Sequence, residues 1–294
     1  MSIDFSNKTA IISGAAGGIG LALAKEFGQR GMHIVMADID MKTLQASADK
    51  LTSEGISVIA CSLDVTDFAQ WQSVVKAAKD SFGGVHMVVN NAGVGGIPSS
   101  IEETDSAIWQ WVVDVNMTGV MFGAKAATPA IKETGEGGWI INVASMAGMN
   151  GVPYATAYAA TKAAVVSMTE SWAVELKSQG IHVAALCPAF VKTRIHESLR
   201  TKQEKYATTA LQDNADQLKK GFGKAAALVE SGIDAELLAK RVVEALNNKQ
   251  MYIFTHPNYR DSVGMRGKAI DHAFKDAVES PLVKHLIDDE IVSL

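Results

Sequence analysis

Residues 9–20, "TAIISGAAGGIG", decide the fold, because a short apolar run there meets four glycines. Such a run, followed by glycines and a segment of helical period, is typical of a strand, a tight turn and a helix. The spacing is Gly14-x-x-x-Gly18-x-Gly20, not the common G-x-G-x-x-G, since Leu23 stands where the last glycine would fall. These glycines would let the backbone and the helix N-terminus approach a pyrophosphate. The alternative is a purely structural turn packed against the sheet.

Outward from this stretch, short apolar runs alternate with longer segments of helical period. The apolar runs predict seven strands, at residues 9–13, 33–37, 57–61, 86–90, 139–144, 182–187 and 251–255. The other segments predict helices at residues 18–29, 41–54, 68–81, 105–131, 156–178 and 234–246. This order is typical of an α/β fold of the Rossmann type, a doubly wound parallel sheet with helices on both faces. Right-handed connections would bring the carboxyl ends of the strands to one edge, where open sheets bind ligands.

The second half of the chain adds a polar segment to this pattern. Residues from about 195 to 232 are rich in Lys, Gln and Ala and contain no predicted strand, so we expect a helical substrate lid over the binding edge. Residues 233–294 supply a helix, the seventh strand and a tail of helical period. Because no linker interrupts the chain, we expect one domain over residues 1–294.

The composition excludes several classes of function. The 294-residue chain has a formal net charge of -5 and scattered basic residues, so we expect a small-molecule partner and neither nucleic acid nor a membrane. It has no apolar run of about 18 residues, as a membrane span requires. Its seven histidines are dispersed, which argues against a metal centre. Cys61 and Cys187 lie in apolar stretches, so we expect buried, reduced thiols and a cytoplasmic location.

An acidic residue at the end of the second predicted strand indicates which dinucleotide would bind. Asp38 follows Gly20 by 18 residues, and its carboxylate would accept hydrogen bonds from the adenosine ribose and repel a 2′-phosphate. The neighbouring Ile39 offers no cation for such a phosphate, so the pattern favours NAD over NADP. The alternative role of Asp38 is a helix N-cap, for which Asp40 is better placed.

The next two strand ends carry further candidates for the cofactor site. Asp64 and Val65 follow the third predicted strand and would meet the adenine ring. "NNAG", residues 90–93, follows the fourth, and Gly93 there would allow close approach to a ribose. A structural Asn-Gly turn is an equally good interpretation of that segment alone.

Four polar side chains are candidates for the chemistry. Tyr158 and Lys162 lie one helical turn apart, and an ammonium within about 4–6 Å would favour a phenolate able to transfer protons at neutral pH. Ser145 closes the fifth strand and could hold a substrate oxygen beside Tyr158, or satisfy its own backbone as a turn residue. Asn116 lies within a predicted helix, where it is either a tolerated polar residue or bends the helix for a purpose.

As a set, these residues resemble the short-chain dehydrogenase/reductase family over about residues 5–195. The resemblance is carried, in the family's order, by "SGAAGGIG", Asn91-Ala92-Gly93, Asn116, Ser145 and Tyr158-x-x-x-Lys162. Two positions depart from the family's pattern. Ser13 replaces a threonine but keeps the hydroxyl, and Pro188-Ala189 replaces Pro-Gly.

The resemblance implies an NAD-dependent alcohol dehydrogenase that interconverts a secondary alcohol and a ketone. It implies that Tyr158 is the acid/base, that Ser145 positions the substrate oxygen, and that Lys162 lowers the tyrosine pKa and binds the nicotinamide ribose. Asn116 would hold a water that links Lys162 to solvent. The implied cofactor-binding residues are Gly14, Gly18, Ile19, Gly20, Asp38, Asp64, Val65, Asn91, Ala92, Gly93, Tyr158, Lys162, Pro188, Val191 and Thr193.

The expected substrate pocket has three walls, at residues 94–98, 146–154 and about 190–228. Methionines and other apolar groups dominate the first two, which favours a bulky hydrophobic or aromatic alcohol, unless the methionines only fill core gaps. Because NAD pools are mostly oxidised, we expect the enzyme to oxidise. More weakly, the lid and "MYIFTHPNYR" resemble bacterial Cα-dehydrogenases of benzylic alcohols.

Three alternatives stay open at this point. Two are enzymes, a hydroxysteroid dehydrogenase and an NADH-dependent ketone reductase. The third is a non-catalytic dinucleotide sensor or scaffold, which would have no need of Ser145, Tyr158 and Lys162 together. The family resemblance further implies a homodimer or homotetramer, with the predicted helices 105–131 and 156–178 at the interface.

Overall fold

A seven-stranded parallel sheet organises the computed structural model, which describes residues 3–208, 223 and 226–290. The strands are β1 (Thr9–Ser13), β2 (His33–Asp38), β3 (Val58–Ser62), β4 (Met87–Asn90), β5 (Gly138–Val143), β6 (Ile181–Cys187) and β7 (Tyr252–Phe254). Their spatial order is β3-β2-β1-β4-β5-β6-β7, and every neighbouring pair is parallel. Each predicted strand is confirmed to within one residue at either end, because a parallel sheet covered on both faces requires near-continuous apolar strands.

Helices cover both faces of the sheet. They are α1 (Gly18–Gly28), α2 (Met41–Ser53), α3 (Phe68–Phe82), α4 (Ser106–Val113), α5 (Gly119–Glu133), α6 (Thr156–Glu175), α7 (Ala235–Asn247) and α8 (Arg260–Glu279). Side chains of α1, α2 and α7 form one buried apolar cluster with the sheet, and side chains of α3 to α6 form another with its opposite face. The Rossmann-type, doubly wound α/β fold is therefore confirmed.

The chain changes direction in the sheet next to β1, and this creates the binding edge. It proceeds from β1 to β2 and β3 on one side, then returns to β4 on the other side of β1. The register pairs Ala10 with Met87 and Ile12 with Val89, so the loops after β1 and β4 leave the sheet side by side. Such a switch point leaves a crevice at the carboxyl ends of the strands.

The predicted helix 105–131 was wrong as a single α-helix. A π-helical turn, Asp114–Thr118, separates α4 from α5. Asn116 lies in this turn and is fully buried, with both side-chain atoms bonded to the backbone of Val94. The wider turn fits a polar side chain that must point into the protein, and such turns are frequent at functional sites.

The helical lid expected over residues 195–232 stays a prediction, and only part of that range lies in the described structure. Residues Ile195–Thr201 and Glu204–Tyr206 form 3-10 helices, and residues 226–230 are helical. Residues 209–222, 224 and 225 of the predicted lid lie outside the described residues.

The two cysteines differ in burial. Cys187 is buried in β6, as predicted, but Cys61 is only half-buried because β3 is an edge strand. Both are free thiols. None of the helices in the described part of the chain is long and apolar enough to span a bilayer.

The chain divides into two compact units, Met1–Thr255 and His256–Leu294. The second unit contains a turn at Pro257–Tyr259, helix α8 and a 3-10 segment at Lys284–Asp288. The expectation of one domain over residues 1–294 stays a prediction.

Candidate active site

The loop between β1 and α1 has a shape that requires glycine. Gly14 and Gly18 have φ angles of 64° and 55°, in the left-handed region that favours glycine. A Cβ on Gly20 would lie 2.4 Å from the carbonyl oxygen of Gly14. Helix α1 begins after Gly17 without a side-chain cap, whereas α2, α3 and α4 begin at aspartate N-caps. Its first N–H groups are left for an anion, so the loop fits a pyrophosphate.

Asn91 and Ser13 hold this loop in place. The side-chain amide of Asn91 donates to the carbonyl oxygens of Ser13 and Gly14, at 2.8 and 3.0 Å. The Ser13 hydroxyl accepts from the backbone N–H groups of Asn91 and Ala92, at 3.0 and 3.2 Å. Ser13 thus keeps the hydroxyl that a threonine would have at this position, and that hydroxyl holds the loop after β4. In this structure Asn91 and Ala92 brace the glycine loop.

Asp38 lies at the end of β2, facing the same loop. One carboxylate oxygen accepts from the N–H of Ala16 at 3.0 Å, and the other accepts from the N–H of Asp40 at 3.0 Å. The helix N-cap is Asp40, whose side chain accepts from the N–H of Thr43 at 3.1 Å. The N-cap alternative for Asp38 is therefore wrong. Its carboxylate connects the glycine loop to the end of β2, where an adenosine ribose would be held.

Asp64 and Val65 follow β3, the outermost strand on this side. Asp64 accepts from the N–H and the hydroxyl of Thr66, at 3.0 and 2.7 Å, which fixes a tight turn. Val65 is buried, and its carbonyl oxygen accepts from the indole N–H of Trp71 at 3.1 Å. Both residues are thus held rigidly beside the end of β2.

Ser145 lies just beyond β5 with its side chain buried. Its hydroxyl donates to the carbonyl oxygen of Pro188 at 3.4 Å and accepts from the N–H of Ala147 at 3.1 Å. It also forms a hydrogen bond with the Tyr158 phenol. Ser145 therefore bonds to the backbone of its own turn and also lies beside Tyr158, so the two interpretations of this residue are compatible.

Tyr158, in the first turn of α6, is half-buried. Burial raises the pKa of its phenol above the ordinary value, and the hydrogen bond with Ser145 only partly opposes this rise. The phenol is therefore not acidified in this structure, contrary to the effect expected of Lys162. The reason is that burial penalises the phenolate more than its neighbours stabilise it.

Lys162 lies one turn further along α6 and is 3% exposed. Its Nζ donates to the carbonyl oxygen of Val143 at 2.7 Å and lies 5.7 Å from the centre of the Tyr158 ring. Burial lowers the pKa of Lys162 from 10.5 to about 8. The group is therefore a cation at neutral pH, held next to the tyrosine.

Side chains from two helical segments meet at Gly93, in the loop after β4. A Cβ on this residue would lie 3.4 Å from Oδ1 of Asn116 and 3.5 Å from Nζ of Lys162. Asn116 donates from Nδ2 to the carbonyl oxygen of Val94 at 2.9 Å and accepts from its N–H at 2.8 Å. The amide of Asn116 therefore fixes the loop after β4, and its water-holding role stays a prediction.

The segment after β6 closes the site from the other side. Val191 is buried and pairs with Ile233 in an isolated bridge. A Cβ on Gly18 would lie 3.1 Å from Cγ2 of Thr193, so this segment contacts the glycine loop. Ile19 packs against the apolar core from the first turn of α1. The structure thus brings the predicted residues to one edge of the sheet.

A cavity opens next to Tyr158 between the loop after β4 and the start of α6. It is lined by Gly95, Gly96, Ile97, Pro98, Ser99, Glu103, Thr104, Asp105, Ile108, Trp109, Val112 and residues 154–158. The wall predicted at 94–98 takes part from Gly95 onwards, but the methionine wall at 146–154 contributes only Tyr154. Met146 is buried instead. Sequence reasoning missed the wall from α4, whose amphipathic start after Asp105 was the available signal.

Within the described ranges, no group of three or more His, Cys, Asp or Glu side chains is close enough together to hold a metal ion. The donors at the site are instead hydroxyls, an ammonium, amides and backbone groups, which suit an organic ligand.

Comparison with known proteins agrees with this geometry. The family model described as short chain dehydrogenase matches residues 8–204. The protein belongs to the short-chain dehydrogenase/reductase family and is an oxidoreductase of the alcohol dehydrogenase type that uses a nicotinamide dinucleotide.

Individual relatives extend the comparison over almost the whole chain. A CLA biosynthesis dehydrogenase/reductase of Lactiplantibacillus plantarum is 30% identical over 270 residues, which cover 91% of this chain and 94% of the relative. A C alpha-dehydrogenase of a Sphingobium species is 29% identical over 268 residues, covering 91% and 86%. The crystal structure of a family member from Burkholderia phymatum in complex with NAD has a TM-score of 0.84 at 33% identity, covering 99% and 100%.

Proposed function

We propose that the protein oxidises a bulky hydrophobic or aromatic secondary alcohol with NAD, and that Tyr158 accepts the hydroxyl proton. The observation that carries this proposal is the Ser145, Tyr158 and Lys162 group at the carboxyl ends of β5 and β6, beside an apolar cavity. A bound nicotinamide would accept hydride from the alcohol carbon. Gly14, Gly18 and Gly20 would hold its pyrophosphate, and Asp38 its adenosine ribose.

The side chains divide the remaining tasks. Ser145 would hold the substrate oxygen, because its hydroxyl already forms a hydrogen bond with Tyr158. The Lys162 ammonium would stabilise the phenolate and bind the nicotinamide ribose. Its buried position makes this charge effective, since fewer water molecules screen it.

The cavity supports a hydrophobic substrate. Its apolar walls come from Ile97, Pro98, Ile108, Trp109 and Val112. Tyr154 lies at the cavity with its side chain 66% exposed, and its φ of 63° is unusual for a residue other than glycine. These apolar groups and the aromatic side chain of Tyr154 favour an aromatic or polycyclic alcohol. The cited C alpha-dehydrogenase relative is consistent with that choice.

NAD is the proposed cofactor because both carboxylate oxygens of Asp38 accept backbone N–H bonds. That geometry fixes the carboxylate where a 2′-phosphate would lie. Arg200, which sequence reasoning did not consider, lies near this region, but its guanidinium pairs with Asp40 at 3.2 Å. The positive charge is therefore already compensated.

Ketone reduction by the same site is a second candidate, favoured by one observation. Because burial raises the pKa of the Tyr158 phenol, the tyrosine is protonated at neutral pH. A protonated phenol is the form that donates a proton to a ketone oxygen. The equilibrium between the two directions is set by the ratio of oxidised to reduced cofactor.

An activity assay tests the proposal. It measures turnover of aromatic, steroidal and alicyclic secondary alcohols, and of the matching ketones, with NAD(H) and with NADP(H). Tyr158→Phe should lower kcat by a factor of about 100 to 10,000, the usual contribution of a general acid/base. Tyr252→Phe is the matched control, since its hydroxyl contacts Glu170 outside the cavity. Full turnover by Tyr158→Phe would refute the assignment.

We also propose a homodimer or homotetramer and a cytoplasmic location. The free thiols Cys61 and Cys187 support a reducing compartment. Sedimentation analysis of the purified protein would establish the oligomeric state.

A further inference from the structure

The segment that leaves β6 crosses the whole binding edge of the sheet. We name residues 193–206 the strap. Thr193 lies against the glycine loop after β1. The Ser198 hydroxyl accepts from the N–H of Gly95, in the loop after β4, at 3.1 Å. The strap thus passes the two loops between which the crevice opens.

The strap then continues to the far side of the edge, where β2 and β3 end. The Arg200 guanidinium donates to a carboxylate oxygen of Asp40 at 3.2 Å. The Lys205 ammonium donates to the hydroxyl of Thr66 at 2.7 Å and lies 3.6 Å from a carboxylate oxygen of Asp64. These partners include Asp64 and adjoin Asp38 and Val65, where the adenosine half of a dinucleotide would be held.

The end of the strap is fixed to the body of the protein. The Tyr206 phenol donates to a carboxylate oxygen of Asp114 at 2.8 Å, and the Tyr206 side chain is buried. Asp114 begins the π-helical turn that contains Asn116. Tyr206 therefore anchors the end of the strap, and the bond between Ser198 and Gly95 holds its middle. Arg200 and Lys205, by contrast, hold the strap to the ends of β2 and β3 through exposed ion pairs.

The charge of the strap is opposite to that of the strand ends it contacts. It contains four basic residues, Arg194, Arg200, Lys202 and Lys205, against two acidic ones, Glu197 and Glu204. The chain as a whole has a net charge of -5. Arg200 and Lys205 meet carboxylates at the ends of β2 and β3, so opposite charges hold the strap over this side of the binding edge.

We propose that Arg200 and Lys205 form a latch that closes the strap over the adenosine half of the bound dinucleotide and retains it. This inference rests on the placement of the dinucleotide proposed above. The dinucleotide lies between the strand-end loops and the strap, so its release requires the two ion pairs to open. The latch thus acts on cofactor exchange, separately from the chemistry at Tyr158.

The latch can be tested by measuring the rate of NADH release from the change in NADH fluorescence in a stopped-flow instrument. The complex of each protein with NADH is mixed with excess NAD, and the rate of NADH loss is recorded. Exposed ion pairs of this kind change such rates by about two- to fivefold each. We expect that increase for Arg200→Ala and for Lys205→Ala, and a larger one for the double variant.

Two controls separate the latch from a general effect of charge. Lys192→Ala removes an exposed ion pair with Asp234, at 2.7 Å, just outside the strap, and should leave the release rate unchanged. Asp40→Asn keeps a residue able to cap α2 but removes the charge opposite Arg200. Because the two residues form one ion pair, the variant that combines Asp40→Asn with Arg200→Ala should release NADH at about the same rate as either single variant.

Ionic strength provides an independent check. Salt at about 0.5 M screens exposed ion pairs, so the release rates of the wild-type protein and the double variant should converge. If the double variant binds NADH but releases it at the wild-type rate, the latch is refuted while the dinucleotide site stands. If the wild-type protein shows no saturable NADH binding, the proposed site is refuted, and the latch with it.

Discussion

Lys162→Met should change how the free energy of unfolding depends on pH. The size of this change measures how much the buried ammonium destabilises the folded protein. Lys162 is 3% exposed, and burial lowers its pKa from 10.5 to about 8. In the folded protein it therefore loses its proton near pH 8, and in the unfolded chain near its ordinary value. Between these values the unfolded state binds more protons, so wild-type stability rises with pH.

The magnitude follows from the size of the shift. At about 1.36 kcal/mol per pKa unit, the gain in wild-type stability between pH 7 and pH 10 is about 2.5 kcal/mol. Methionine has a similar length but no charge, so the variant lacks this term. Loss of the bond to the Val143 carbonyl oxygen, 2.7 Å in the structure, adds a cost that does not depend on pH. The stability of the variant relative to the wild type should thus be most favourable at pH 7 and decline by about 2.5 kcal/mol towards pH 10.

Urea unfolding, followed by fluorescence of the five tryptophans without added cofactor, measures this difference. Lys177→Met, at an exposed lysine beyond α6, is the control and should give a difference that does not vary with pH. A constant difference for Lys162→Met as well would mean that burial does not perturb Lys162, and the reasoning would fail. The same variant should lose NADH-dependent turnover, because the buried charge that costs stability serves the site.

Two further predictions concern the cofactor site. Gly20→Ala should destabilise the protein by about 1–3 kcal/mol and prevent saturable NADH binding, because its Cβ would lie 2.4 Å from the Gly14 carbonyl oxygen. Gly17→Ala, where a Cβ would meet nothing within 4 Å, should change unfolding free energy by less than about 0.5 kcal/mol, and equal losses for both would contradict the steric argument. Asp38→Ser should lower the preference for NADH over NADPH at least about tenfold in fluorescence titrations, since the charge facing a 2′-phosphate is removed. An unchanged preference would show that the Asp38 carboxylate does not set the selectivity for NADH.

The sheet and most of the site residues could be predicted because local patterns encode them. Each strand is an apolar run bounded by a turn, and most site residues follow a strand or lie near the start of a helix. The carboxyl ends of parallel strands necessarily meet, so Gly14, Asp38 and Ser145 could be placed at one edge without knowing any contact.

The contacts that could not be predicted join residues far apart in the chain. Arg200 and Asp40 are separated by 160 positions, and Lys205 and Thr66 by 139. No periodicity links such pairs. The pKa of Tyr158 was also misjudged, because its burial depends on packing that the spacing of Tyr158 and Lys162 does not reveal.

The absence of a side-chain cap on α1 connects the folding of this protein to its cofactor supply. The helix after β1 begins at Gly18, and no side chain of its N-cap residue, Gly17, bonds to its first N–H groups. An anion bound there completes the helix, so the ligand becomes part of the folded structure that it recognises. A ligand that binds only the folded state stabilises it by mass action. The amount of folded enzyme in a cell would then rise and fall with the dinucleotide pool that feeds its reaction.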